Sequence, residues 1–153
     1  SARFPTLEVR IMDACTHMDD AIALAALYRC WLRMLYRLRR NNQRWRRYPP
    51  ALVLENRWRA QRYGIDQGLI DFGRAEVVPY AELLDEMLAL VAEDGAFFDC
   101  EAELEHTRTI LSRGTSAHWQ CAAYDKGLDE GKEPEEALKS VVDRLVEQTV
   151  AHG

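Results

Sequence analysis

Glu8 and Arg10, in the stretch "TLEVRIMD" at residues 6–13, set a carboxylate and a guanidinium two residues apart. They alternate with Leu7, Val9 and Ile11, the period of a strand with one apolar and one polar face. Side chains at i and i+2 of a strand point the same way, about 6.5–7 Å apart. That spacing suits a carboxylate holding Mg²⁺ beside an arginine that contacts a phosphate touched by the same metal. It also suits a plain surface ion pair, and the spacing alone favours that reading.

Two further patterns carry potential chemistry. Arg29, Arg33, Arg37, Arg40, Arg44 and Arg47 recur every three or four residues, with Trp31, Tyr36, Trp45 and Tyr48 between them. A basic aromatic helix of this kind can bind an anionic polymer or membrane. It can also be a solvated face, or one docked on acidic helices, and the absence of lysine from the stretch in an acidic protein favours these. Glu103 and His106 in "ELEH" have the i, i+3 spacing of one di-iron motif. The second Glu-x-x-His that such a site needs is absent from the sequence, which leaves a hydrogen-bonded helix face. No Gly-rich phosphate loop and no nucleophile elbow occurs.

These residues need elements to position them. After the strand, residues 15–41 predict a long helix, with Thr16 as N-cap and Asp19 completing a capping box. A second helix fits "ALVLENRWRAQRYG", closed by Gly64. "GLIDFGRAEVVPY" predicts a small hairpin or an extended loop. Pro79 opens a helix with Tyr80, Leu83, Leu84, Met87, Leu88 and Val91 on one face. Another ends at Gly114, Thr115 or Ser116 caps the next, and Pro134 begins the last. In that last helix Leu138, Val141, Val142, Leu145 and Thr149 make the expected buried face. The sum is a mainly α chain with a minor antiparallel β element.

The chain has 153 residues, 48% hydrophobic and 29% charged, which predicts a single domain over residues 1–153. Its charge is lopsided. Residues 1–74 hold 14 arginines against 7 acids, and residues 75–153 hold 6 basic residues against 18 acids. We therefore read residues 1–79 as a strand, a long helix and a basic helical region, and residues 80–153 as an acidic helical region. No apolar run reaches membrane-spanning length, and no signal-peptide core occurs. The four cysteines match no zinc or C-x-x-C spacing and read as reduced, structural thiols of a cytoplasmic protein.

Three blocks in order resemble the C-terminal part of the type 2 glutamate–cysteine ligase family: "LEVRIMDACTHMDDAIALAAL", "ENRWRAQRYGIDQGLIDF" and "ELEHTRTILSRGTSAHWQ". The resemblance runs from about residue 5 to residue 125. It implies an ATP- and Mg²⁺-dependent ligase, with a glutamine-synthetase-like antiparallel sheet packed by helices. Its substrates would be ATP, a carboxylate such as glutamate and an amine such as cysteine, joined through an acyl phosphate. On this resemblance Glu8 is a metal ligand and Arg10 a catalytic, phosphate-stabilising residue. Asn56, Arg57 and Arg62 become candidate substrate or nucleotide contacts, although Arg57 and Arg62 lie about 140° apart around their helix. The resemblance also implies that most metal-binding strands lie upstream, so that this chain is the C-terminal portion of a longer ligase and inactive alone. The exposed apolar face of the first strand would be covered by a second copy. The alternative function is a helical binding module using the arginine row on an anionic partner such as nucleic acid.

Overall fold

A computed structural model describes residues 3, 4 and 6–150 of the chain. Six helices and one hairpin follow one another: α1 (Met18–Arg40), α2 (Pro50–Tyr63), β1 (Leu69–Asp71), β2 (Glu76–Val78), α3 (Tyr80–Phe98), α4 (Glu101–Arg113), α5 (Ser116–Asp129) and α6 (Pro134–Val150). The mainly helical class with a minor antiparallel element is what the sequence predicted, and the boundaries follow its punctuation. Pro50 and Pro134 begin helices, Gly64 and Gly114 follow their ends at positive φ, and Thr115 caps α5.

Helix α1 is the axis of the structure and packs on α3 and α4. One side of it carries Ala23, Leu27, Cys30 and Met34, at the spacing of a helical stripe, and these meet Val91, Cys100 and Leu104. Cys30 and Cys100 touch through their sulfurs at 3.6 Å, as free thiols. Burial, helped by the Cys100 contact, pushes the Cys30 thiol up to about 12, so it packs as an apolar group.

Arg29, Arg33 and Arg37 of α1 are occupied. Arg33 donates to Asp94 Oδ1 at 2.5 Å, and Arg37 clasps both Asp94 oxygens at 3.0 and 2.7 Å. Asp94 is fully buried, and exposed Glu93 beside it adds contacts to both arginines. Burial alone would raise the Asp94 pKa; the Arg37 and Arg33 hydrogen bonds outweigh it and hold the carboxyl below its ordinary value. Arg29 and Arg33 also lie over the rings of Phe98 and Phe97, 3.7 and 3.8 Å from the centroids. The arginine row is therefore largely a face docked on acidic α3. Its continuation is broken, because α1 ends at Arg40, and Arg44 and Arg47 lie in a connection without helix or strand.

The hairpin pairs Leu69 with Val78 and Asp71 with Glu76. Gly68 enters it at φ +66°, where an added Cβ would lie 2.1 Å from the Val78 carbonyl oxygen, so only glycine fits. Helices α5 and α6 form a second helical pair, with Gly127 letting Ala137 approach closely.

Three expectations are corrected. Residues 6–13 form no strand: among the described residues their backbone meets no neighbouring strand, and an unpaired strand has no ladder. Thr16 does not cap α1; His17 holds that position and the Thr16 hydroxyl bonds Ser116 at 2.8 Å. The buried side of α6 is Ala137 and Val141, leaving Leu138 and Val142 exposed, because only the side facing α5 is covered.

Replacing Asp94 with alanine strands two guanidiniums in partial burial and should lower stability by about 3 kcal/mol, measured by urea denaturation. The folded carboxyl titrates below its unfolded value, so its contribution is complete above about pH 4. It should disappear as pH falls through the folded pKa, and the Asp94→Ala chain should lose this acid-dependent component.

Candidate functional site

Three sequence blocks, far apart along the chain, converge around the start of α1. Asp20 lies in its first turn, in register with the buried stripe of Ala23, Leu27, Cys30 and Met34. Its carboxylate, near the positive end of the helix, is paired with His106 Nε2 at 2.9 Å and accepts from Arg113 at 2.5 Å. Thr16 meets Ser116, which also accepts from Gln120 Nε2 at 2.8 Å. His17 packs edge-on to Trp119, with ring centroids 6.3 Å apart.

The middle block is tied in from the other side. His118 Nδ1 accepts from the Thr115 backbone N–H at 3.1 Å, which leaves Nε2 to carry the proton of neutral imidazole and donate to Asp66 Oδ1 at 2.9 Å. Asn56 works as a clamp: its amide donates to the Ile70 carbonyl at 2.9 Å and its oxygen accepts from the Ile70 N–H at 2.7 Å. Arg59 holds the carbonyls of Gln67 and Gly68. So the helix bearing the "ENRWRAQRYG" stretch fixes the hairpin, and the hairpin's approach is pinned to α5.

Between α1, α3 and the hairpin lies a cavity of about 650 Å³. Its wall includes Trp31, Trp45, Tyr48, Phe72, Leu83 and Met87. Three of the polar groups at its edge are spent locally. Asn56 holds Ile70, the Asp71 carboxylate accepts from the N–H groups of Gly73 and Arg74, and the Thr107 hydroxyl donates to the Leu104 carbonyl. The cavity is an apolar space without a convergent reactive set, and Glu8, Arg10, Arg57 and Arg62 lie outside it.

The candidate residues from the sequence fall in three places. Glu8 and Arg10 pair with each other at 2.9 Å on the surface, their side chains 55% and 81% exposed. Asn56 is half-buried on the inner side of α2. Arg57 and Arg62 are exposed on α2, and among the described residues neither makes an ion pair. The structure brings Glu8 and Arg10 together; it does not bring them beside α2's arginines. His106 is committed to Asp20, and no group of three or more His, Cys, Asp or Glu with metal-binding proximity occurs among the described residues. Asp20, Arg113, Asp66 and His118 were not singled out from sequence. Asp20 had a usable signal, an acid standing at a core position of an apolar stripe.

The convergence of these blocks coincides with a family match. Glutamate-cysteine ligase family 2 matches residues 1–144, and the chain belongs to that family. A Rhodospirillum rubrum protein named "Putative glutamate–cysteine ligase 2" is 62% identical over 151 residues, 99% of this chain and 39% of its own length. Proteins of the same name from Paracoccus denitrificans and Jannaschia sp. are 46% and 47% identical over 97% and 96% of this chain, again 39% of their lengths. The chain thus spans about two-fifths of these relatives. No solved structure matches it. Among the described residues no helix is long and apolar enough to cross a membrane.

Asn56→Ala removes both partners of the Ile70 backbone in a half-buried setting. It should cost about 1–2 kcal/mol and speed amide exchange at Ile70 while helical content is kept. Hydrogen exchange read residue by residue checks this.

Proposed function

We propose that this chain is the helical C-terminal portion of an ATP- and Mg²⁺-dependent ligase that joins the side-chain carboxylate of glutamate to an amine, with cysteine as the amine. The family match over residues 1–144 carries the reading. The roles of Glu8 and Arg10 rest on the resemblance of their stretch to that family.

The donor set fits Mg²⁺ in part. This ion accepts one or two carboxylates and fills its remaining positions with water and phosphate oxygens. Glu8 supplies one such carboxylate, and in the relatives the remaining three-fifths of the length is available to supply others. When bound, the ion would neutralise phosphate charge and orient the phosphoryl group. Arg10, free to turn from Glu8 because both are exposed, presents planar N–H donors to the phosphoryl oxygens as charge shifts during transfer. Glutamate's carboxylate oxygen takes the γ-phosphoryl of ATP, giving an acyl phosphate and ADP. The amine nitrogen then forms the C–N bond, the C–O bond to phosphate breaks, and the amine proton leaves with the products.

Arg57 and Arg62, exposed on α2 and without an ion pair among the described residues, offer guanidiniums to nucleotide or substrate anions. Asn56, given its hold on Ile70, acts by positioning α2 against the hairpin. The four free cysteines suit the reducing cytoplasm, where ATP and thiol amines are also found. The anionic-polymer reading loses Arg33 and Arg37, which are occupied by Asp94.

The test uses the whole encoded ligase with ATP, Mg²⁺, glutamate and a panel of amines. Glu8→Gln and Arg10→Ala should each lower kcat by roughly 100- to 1000-fold with folding intact. Wild-type rates in both variants would overturn the assignment. The 153-residue chain alone should turn over no ATP.

A further inference from the structure

Two free thiols on different elements touch inside the three-helix unit. Cys30, in the middle of α1, and Cys100, at the turn from α3 into α4, stand 70 positions apart in sequence with their sulfurs 3.6 Å apart. They share a buried apolar cluster with Leu27, Met34, Val91 and Leu104. The contact lies between helices of this chain, so it does not depend on what the longer protein lays over them. A disulfide joins its sulfurs at about 2 Å, which leaves this pair about 1.5 Å to close, within reach of side-chain rotation and a small shift of the turn. The turn is the weak side of the pair. Asp99 lies in it at φ +53°, a left-handed conformation that costs a residue with a Cβ. The Cys100 thiol also makes a long, weak contact of 3.8 Å to the Gly95 carbonyl. Cys100 keeps 8% exposure and Cys30 none, so a reagent meets Cys100 first.

We propose that Cys30 and Cys100 are a reversible modification site, oxidised by a small disulfide to an intrachain bond that clamps α1 to the start of α4. The Cys100 sulfur, as thiolate, attacks one sulfur of the reagent R–S–S–R. A bond to Cys100 forms, the reagent's S–S bond breaks and RS⁻ leaves. The Cys30 sulfur then attacks the Cys100 sulfur of this mixed disulfide and expels the second RS⁻. The protons shed by the two cysteines pass through water to the two leaving thiolates. The protein is oxidised by two electrons and the reagent is reduced to two RSH, so no other reactant enters. Burial, which pushes the Cys30 thiol up to about 12, keeps the closed pair inert. Exchange therefore waits on opening of the α3–α4 turn, and the pair rests as thiols until small disulfides accumulate. The inference uses only this contact and does not rest on the ligase reading.

The test incubates the whole encoded protein, folded, with 2-hydroxyethyl disulfide and 2-mercaptoethanol at graded ratios, then alkylates the remaining thiols and digests with trypsin. Each of the four cysteines of this chain falls on its own tryptic peptide, Cys30 on residues 30–33 and Cys100 on residues 75–108. Mass spectrometry should find these two peptides joined to each other in preference to any other cysteine. Their linkage should grow with the oxidant's share and disappear after dithiothreitol. Amide exchange across residues 27–34 and 100–104 should slow by roughly tenfold or more in the oxidised protein. Cys30→Ser should leave Cys100 carrying the mixed disulfide with 2-mercaptoethanol, and Cys100→Ser should leave Cys30 unjoined. Absence of the linkage overturns the inference, as does a linkage that forms only in urea. So do preferential pairing of either residue with Cys15 or Cys121, and amide exchange that oxidation leaves unchanged.

Discussion

A carboxylate shut away from water must be met by cations, and α1 is held by such encounters at both of its ends. Near its start Asp20 receives His106 and Arg113 from α4. Toward its finish Arg33 and Arg37 close on Asp94 of α3. Between these fixed points the contact is apolar and nearly directionless: Leu27, Cys30 and Met34 against Val91, Cys100 and Leu104. Hydrophobic packing of this kind stabilises burial but tolerates sliding by a turn. The two charged knots do not, because moving either by one helical turn leaves a buried charge without its partner. Burial therefore supplies much of the stability of the three-helix unit, and the carboxylates fix its register.

That register is what the remaining polar contacts rely on. With α4 fixed on α1, Ser116 reaches Thr16, and the turn through Gly114 brings His118 to Asp66. From there the chain of contacts runs to α2 and the hairpin through Arg59 and Asn56. The three blocks that resemble the ligase family are thus one connected network rather than three independent motifs. Residues 6–13, the segment that carries Glu8 and Arg10, make no ladder among the described residues.

Much of this was legible in the sequence. Six helices and the hairpin announced themselves through proline and glycine: Pro50, Gly64, Pro79, Gly114 and Pro134 stand at element ends. Local punctuation acts within a few residues, so it can be read without knowing the fold. What failed depends on partners. Periodicity gave α6 an apolar side but could not say which part of it α5 would cover, and the contact centred on Ala137, where Gly127 leaves room. Alternation made residues 6–13 look like a strand, yet alternation supplies no neighbour. Thr16 has the chemistry of a cap and was taken by Ser116, a hundred residues away. For the candidate site, the spacing of Glu8 and Arg10 allowed the exposed ion pair that the structure shows, whereas the role of Asn56 as a clamp on Ile70 required the hairpin to be in place.

The pairing of α5 with α6 has a consequence for how the molecule breathes. Most of the packing of these two helices is with each other, and the ties to the rest described above gather at the beginning of α5: Ser116 to Thr16, His118 to Asp66, and Trp119 edge-on to His17. Such a unit opens by releasing a few hydrogen bonds near a glycine rather than by tearing apart a core. The α5–α6 pair can therefore open as an intact helical unit while the three-helix unit stays closed.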